Sequence, residues 1–127
     1  MNIYFRTNYN TTVGIGNFMR VVMLAEKLKK KHTCIIILDK KINEFKNLNL
    51  KFDHLYNNDL EFESQETDAK IFISKVKRGS IIFVDDYRLG NKWEKIVTKK
   101  SKKLIGICDD YKKKHYVDFL INTKPLL

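Results

Sequence analysis

Gly79-Ser80-Ile81-Ile82-Phe83-Val84-Asp85-Asp86-Tyr87 and, further on, Leu104-Ile105-Gly106-Ile107-Cys108-Asp109-Asp110-Tyr111 flank an amphipathic segment, Lys92–Lys100. Ile81–Val84 and Leu104–Cys108 are continuous apolar runs with no polar alternation, the pattern of strands buried on both faces. Between them Trp93, Ile96 and Val97 recur at helical spacing, so the unit reads strand, helix, strand. Such a crossover joins parallel strands. Working outward, Asn2–Thr7 and the β-branched run Thr33–Leu38 read as further strands. Between those two, Phe18, Val21, Val22, Leu24, Ala25 and Leu28 mark a helix over Asn17–Lys30. Ala69, Phe72, Ile73 and Val76 mark another over Ser64–Arg78, broken by Gly79-Ser80. Lys51–Tyr56 has weaker strand character, Lys41–Phe45 reads as a short helix, and Val117–Ile121 as a last short strand. The expected fold is α/β: a Rossmann-like three-layer α/β/α domain with a mostly parallel sheet, spanning residues 1–127.

Composition fits that expectation. Of 127 residues, 43% are hydrophobic and 31% charged, which provides a core and argues against wholesale disorder. No apolar run approaches the roughly 20 residues that cross a bilayer, and no basic segment followed by an apolar one opens the chain. Cys34 and Cys108 both fall in strand-like runs and are expected as buried thiols in a reducing cytoplasm. A cytoplasmic location with no membrane partner follows. The charge balance, 25 − 15 = +10, raises the question of nucleic acid. Arg occurs only at 6, 20, 78 and 88, and the lysines gather at helix ends and turns such as Lys27–Lys31 and Lys99–Lys103. No Arg forks interleave with aromatic platforms, so these lysines read as solvated faces and nucleic acid is not the expected partner.

In open parallel sheets ligands bind outside the carboxyl ends of the strands. Val13-Gly14-Ile15-Gly16-Asn17 falls there, after the first strand and leading into a helix whose free N–H groups suit an anion. Arg20 stands where the third glycine of a dinucleotide fingerprint would fall, so NAD is not expected. Asp85-Asp86-Tyr87 and Asp109-Asp110-Tyr111 fall at the same edge. Paired acids there can act as bases, bind a cation, hold sugar hydroxyls, or merely cap helices. His32, His54 and His115 are scattered without metal-ligand spacing, and no Gly-x-Ser-x-Gly elbow or phosphate loop occurs. Neither a metal nor another cofactor is expected.

Three ordered segments resemble a known family, the UDP-sugar hydrolases of pseudaminic-acid synthesis with the related spore-coat polysaccharide proteins. Arg6-Thr7-Asn8, Gly14-Ile15-Gly16-Asn17-Phe18-Met19-Arg20 and Leu24-Ala25 resemble its opening pattern of Arg, Ala or Thr, Asp, then Gly-x-Gly-His-x-x-Arg and Leu-Ala. Val84-Asp85-Asp86-Tyr87 with Trp93-Glu94 resembles its Asp-x-Tyr and Trp-Glu segment. Ile107-Cys108-Asp109-Asp110, His115, Asp118 and Leu120-Ile121-Asn122 resemble its closing segment.

The resemblance implies one half of a glycosyltransferase-B type architecture, the N-terminal sugar-side domain. A second domain, absent from this chain, would hold the nucleotide. It implies hydrolysis of UDP-2,4-diacetamido-2,4,6-trideoxy-β-L-altropyranose to UDP and free sugar, by a water that the motif histidine activates. Asn17 occupies that histidine position, and an amide has no useful basicity near neutral pH. Asn17 is then expected to position the water, with Asp85 or Asp109 replacing the lost base. Arg6, Gly14, Ile15, Gly16, Arg20 and Tyr87 are expected to bind the substrate. The expected partners are a UDP-linked diacetamido sugar and either a complementary C-terminal domain or a second copy of the chain. Two functions stay open: a nucleotide-sugar hydrolase-related domain, as a fragment or an inactive form, and a non-catalytic module that binds a nucleotide sugar or docks a partner.

Overall fold

The computed structural model describes residues 1–8, 16–38, 54–56, 63–108 and 114–123. Their elements run β1 (Asn2–Thr7), α1 (Gly16–Leu28), β2 (Thr33–Leu38), β3 (His54–Tyr56), α2 (Gln65–Lys75), β4 (Ser80–Asp85), α3 (Asn91–Val97), β5 (Ser101–Cys108) and β6 (Phe119–Asn122). The strands form one six-stranded sheet in the order β3-β2-β1-β4-β5-β6. Every pairing in it is parallel. This is the order of doubly wound nucleotide-binding sheets, with the direction of winding reversing between β1 and β4.

Side chains alternate across the strands and build two cores. On one face Ile3 and Phe5 of β1, Cys34, Ile36 and Leu38 of β2, and Phe83 of β4 pack under Phe18, Val21, Val22 and Ala25 of α1. The rings of Phe5 and Phe83 stack with centroids 5.1 Å apart. On the other face Tyr4, Ile37, Ile82, Val84 and Leu104 pack under α2 and α3 through Ala69, Phe72, Trp93 and Val97. The three-layer α/β/α arrangement follows directly. Among the described residues no helix is long and apolar enough to cross a membrane.

The ends of the elements have local causes. Ser64 caps α2, its Oγ accepting from Thr67 N at 3.1 Å. α2 stops at Lys75, short of the expected Arg78, because Val76 is already extended and Gly79 takes φ +81° to turn the chain into β4. Gly90 precedes α3 at the N-cap position and has no side chain to cap it. The cap comes from α2 instead: Gln65 Oε1 accepts from Gly90 N at 2.9 Å and Trp93 N at 3.1 Å. α3 ends at Val97 rather than Lys100. β5 starts at Ser101, earlier than the apolar run, since Lys102 and Lys103 lie exposed on an edge that still pairs with β4. β6 starts at Phe119, two residues late, and all four of its residues are exposed. The short helix expected over Lys41–Phe45, and the first half of the Lys51–Tyr56 strand, lie outside the described residues.

Candidate functional site

The reversal between β1 and β4 brings the start of α1 against the end of β4. Asp85 is the last residue of β4 and 1% exposed. Its carboxylate accepts a two-pronged bond from Arg20 of α1, Nε to Oδ2 at 2.9 Å and Nη2 to Oδ1 at 2.8 Å. Such a fork is geometrically specific as well as strong. The Asp85 carbonyl accepts from Thr7 Oγ1 at 3.0 Å and from Asn17 Nδ2 at 3.4 Å, while Asn17 Oδ1 accepts from Arg20 Nη2 at 3.4 Å. Asn17, Arg20 and Asp85 are one hydrogen-bonded unit. The next residue, Asp86, accepts from the backbone and guanidinium of Arg88, with Nη2 to Oδ2 at 2.6 Å.

A cavity of about 280 Å³ opens beside this unit. Asn17, Arg20, Asp85, Asp86, Glu94 and His115 supply its polar lining, with Tyr87, Gly106 and Cys108 also on its walls. Among the described residues its lining carries three carboxylates and one guanidinium, although the chain as a whole carries +10. Among the described residues no lysine lines it. Acceptors that dominate a concave wall favour ligands rich in O–H and N–H donors over bare phosphate oxygens.

Glu94 and His115 were not among the residues expected from the sequence. Glu94, 1% exposed on α3, accepts from Tyr116 N through Oε1 and faces His115 Nδ1 through Oε2, both at 2.7 Å. A carboxylate only accepts, so the ring hydrogen sits on Nδ1. His115 Nε2 is buried and, among the described residues, has no hydrogen-bond partner. The two residues are 21 apart in sequence, so no local spacing joins them. The available signal was the resemblance, which covers both Trp93-Glu94 and His115.

The other expected site residues divide. Asn17, Arg20, Asp85 and Tyr87 all line the cavity, with Tyr87 54% exposed at its rim. Gly16 opens α1, and a Cβ there would meet nothing among the described residues, so packing against them does not require glycine. Arg6 is directed elsewhere. It lies under α2, 1% exposed, donating Nε and Nη2 to Asp68 at 3.1 and 2.5 Å and Nη1 to the Thr7 carbonyl at 2.6 Å. Asp68 Oδ1 also accepts from Trp93 Nε1 at 2.8 Å. Arg6 thus ties sheet to helices and does not line the cavity. Gly14, Ile15 and Asp109 lie outside the described residues.

Neither described cysteine is disulfide-bonded. Burial under α1 pushes the Cys34 thiol above its ordinary value, whereas Cys108 is only half-buried on the cavity wall. Among the described residues no cluster of His, Cys, Asp and Glu could hold a metal ion. Comparison of the chain with protein-family models, curated proteins and solved structures finds no match.

Proposed function

We propose that the chain is a nucleotide-sugar-handling domain related to the UDP-sugar hydrolases of nonulosonic-acid synthesis, and that the cavity takes the sugar end of a UDP-linked diacetamido sugar. The observation that carries this reading is the acceptor-rich cavity at the winding reversal, with an amide, three carboxylates and an imidazole on its wall. Sugar hydroxyls and acetamido N–H groups are donors, and such acceptors match them. The nucleotide is held outside this cavity. In the glycosyltransferase-B scheme that the resemblance implies, a second domain does that holding; a second copy of the chain is the other candidate.

One observation favours the alternative of a binding module without chemistry. Position 17 is an amide, and both oxygens of Asp85 accept from Arg20, so neither is an open proton acceptor. In this reading Asp85 is a positioning residue that fixes Arg20.

Thiol chemistry tests the location of the site. Cys108 lies on the cavity wall, while Cys34 is 2% exposed with a raised pKa, so less of it is thiolate at any alkaline pH. In the native protein iodoacetamide is expected to reach Cys108 first and Cys34 only on unfolding. UDP-2,4-diacetamido-2,4,6-trideoxy-β-L-altropyranose at 100 times its Kd should slow Cys108 alkylation about 100-fold by mass action. Equal Cys108 rates with and without the nucleotide sugar would count against the assignment.

A further inference from the structure

We propose that the Glu94–His115 pair is the general base of this cavity, taking the role that position 17 cannot fill; the proposal rests on the nucleotide-sugar reading above. Three observations carry it. His115 is 9% exposed at its side chain and lines the cavity. Its Nδ1 is fixed at 2.7 Å from Glu94 Oε2, a carboxylate itself held by Tyr116 N. With the ring hydrogen on Nδ1, Nε2 is the nitrogen left to accept, buried and without a partner among the described residues. A buried polar atom left unsatisfied is costly and rare, and a ligand or water that it can bind is the ordinary reason for one.

The orientation is that of a working base. A carboxylate on one ring nitrogen holds the tautomer and stabilises the imidazolium that forms when the other takes a proton. In the step assigned here, the oxygen of a water in the cavity attacks the anomeric carbon, and its proton passes to His115 Nε2. The bond from that carbon to the β-phosphate oxygen breaks, and the electron pair leaves with UDP. The sugar departs as the free hemiacetal, and the imidazolium returns its proton to solvent. Asn17 and Arg20, on the same cavity, bind and orient; Glu94 is a positioning residue acting through His115.

The experiment measures UDP release and ligand affinity side by side on the same chain, using UDP-2,4-diacetamido-2,4,6-trideoxy-β-L-altropyranose. His115→Gln is expected to release UDP about 10²–10⁴-fold more slowly than the unsubstituted chain at unchanged Kd, the usual contribution of a general base. Added imidazole should restore part of the rate to His115→Ala, which a purely structural histidine would not allow. In Glu94→Gln an amide must replace one acceptor oxygen, so either Tyr116 N or His115 Nδ1 loses its partner; kcat should fall on the order of 10–100-fold with KM held. Unchanged Kd in each variant shows that the cavity is still folded. Binding with wild-type release by His115→Gln overturns the base assignment and leaves the nucleotide-sugar reading standing. Binding by the unsubstituted chain with no UDP release does the same and favours the binding module. No binding by the unsubstituted chain overturns both.

Discussion

Asp68→Ala is expected to lower unfolding stability by about 3–5 kcal/mol, because it takes from a buried guanidinium the carboxylate that two of its nitrogens bond, leaving the more distant Asp86 at 3.9 Å. Arg6 and Asp68 are 1% and 6% exposed, and two of the guanidinium nitrogens donate to the carboxylate. Removing the acid also leaves Trp93 Nε1 without its acceptor. Against a typical total of about 5–15 kcal/mol, such a loss is a large fraction of what holds the domain together. Guanidinium chloride unfolding followed by tryptophan fluorescence reads it, since Trp93 is the only tryptophan. Replacing both charges together, Arg6→Met with Asp68→Leu, should cost much less, because no unpaired ion then remains. A loss below about 1 kcal/mol in Asp68→Ala, the range of exposed ion pairs, would mean that the Arg6 guanidinium finds water and is not locked under α2.

Trp93→Ala should cost a similar amount, about 3–5 kcal/mol, as expected for truncating a fully buried tryptophan. The indole is 0% exposed and packs on Phe72 with ring centroids 5.1 Å apart. α3 has only seven residues, too few to be stable as an isolated helix, so packing through Trp93 is what fixes it. The same helix carries Glu94. Losing the anchor should therefore release His115 as well, which a changed His115 imidazole NMR signal would report. Because Trp93 Nε1 donates to Asp68, the two substitutions should couple by about 0.5–3 kcal/mol in a double-mutant cycle. Simple additivity would show that the indole–carboxylate bond contributes nothing.

The bounds of β1 and β2 coincide with the strand-like runs Asn2–Thr7 and Thr33–Leu38, since strands covered on both faces are buried along most of their length. Legibility fades where burial is one-sided. Lys102 and Lys103 hide the start of β5, and the exposed β6 has no apolar requirement to mark its bounds. The convergence of Asn17, Arg20 and Asp85 was open to sequence reading, because the winding rule alone places the ends of β1 and β4 together. Arg6 was open to it in principle. Alternation puts it on the same side of β1 as Tyr4, away from Phe5 and α1, yet the family pattern drew it toward the substrate. The Glu94–His115 contact depends on α3 crossing to the segment before β6, which only the assembled fold supplies.

The central claim is that the cavity at the β1–β4 reversal is a nucleotide-sugar site. Backbone amide shifts during titration with UDP-2,4-diacetamido-2,4,6-trideoxy-β-L-altropyranose test it most directly, with free UDP assayed in the same sample. The expected result is saturable shifts at Gly16–Arg20, Asp85–Tyr87 and Tyr116, whose N–H reports on Glu94. Shifts confined to the lysine-rich segment Lys99–Lys103, or none at saturating ligand, would contradict it.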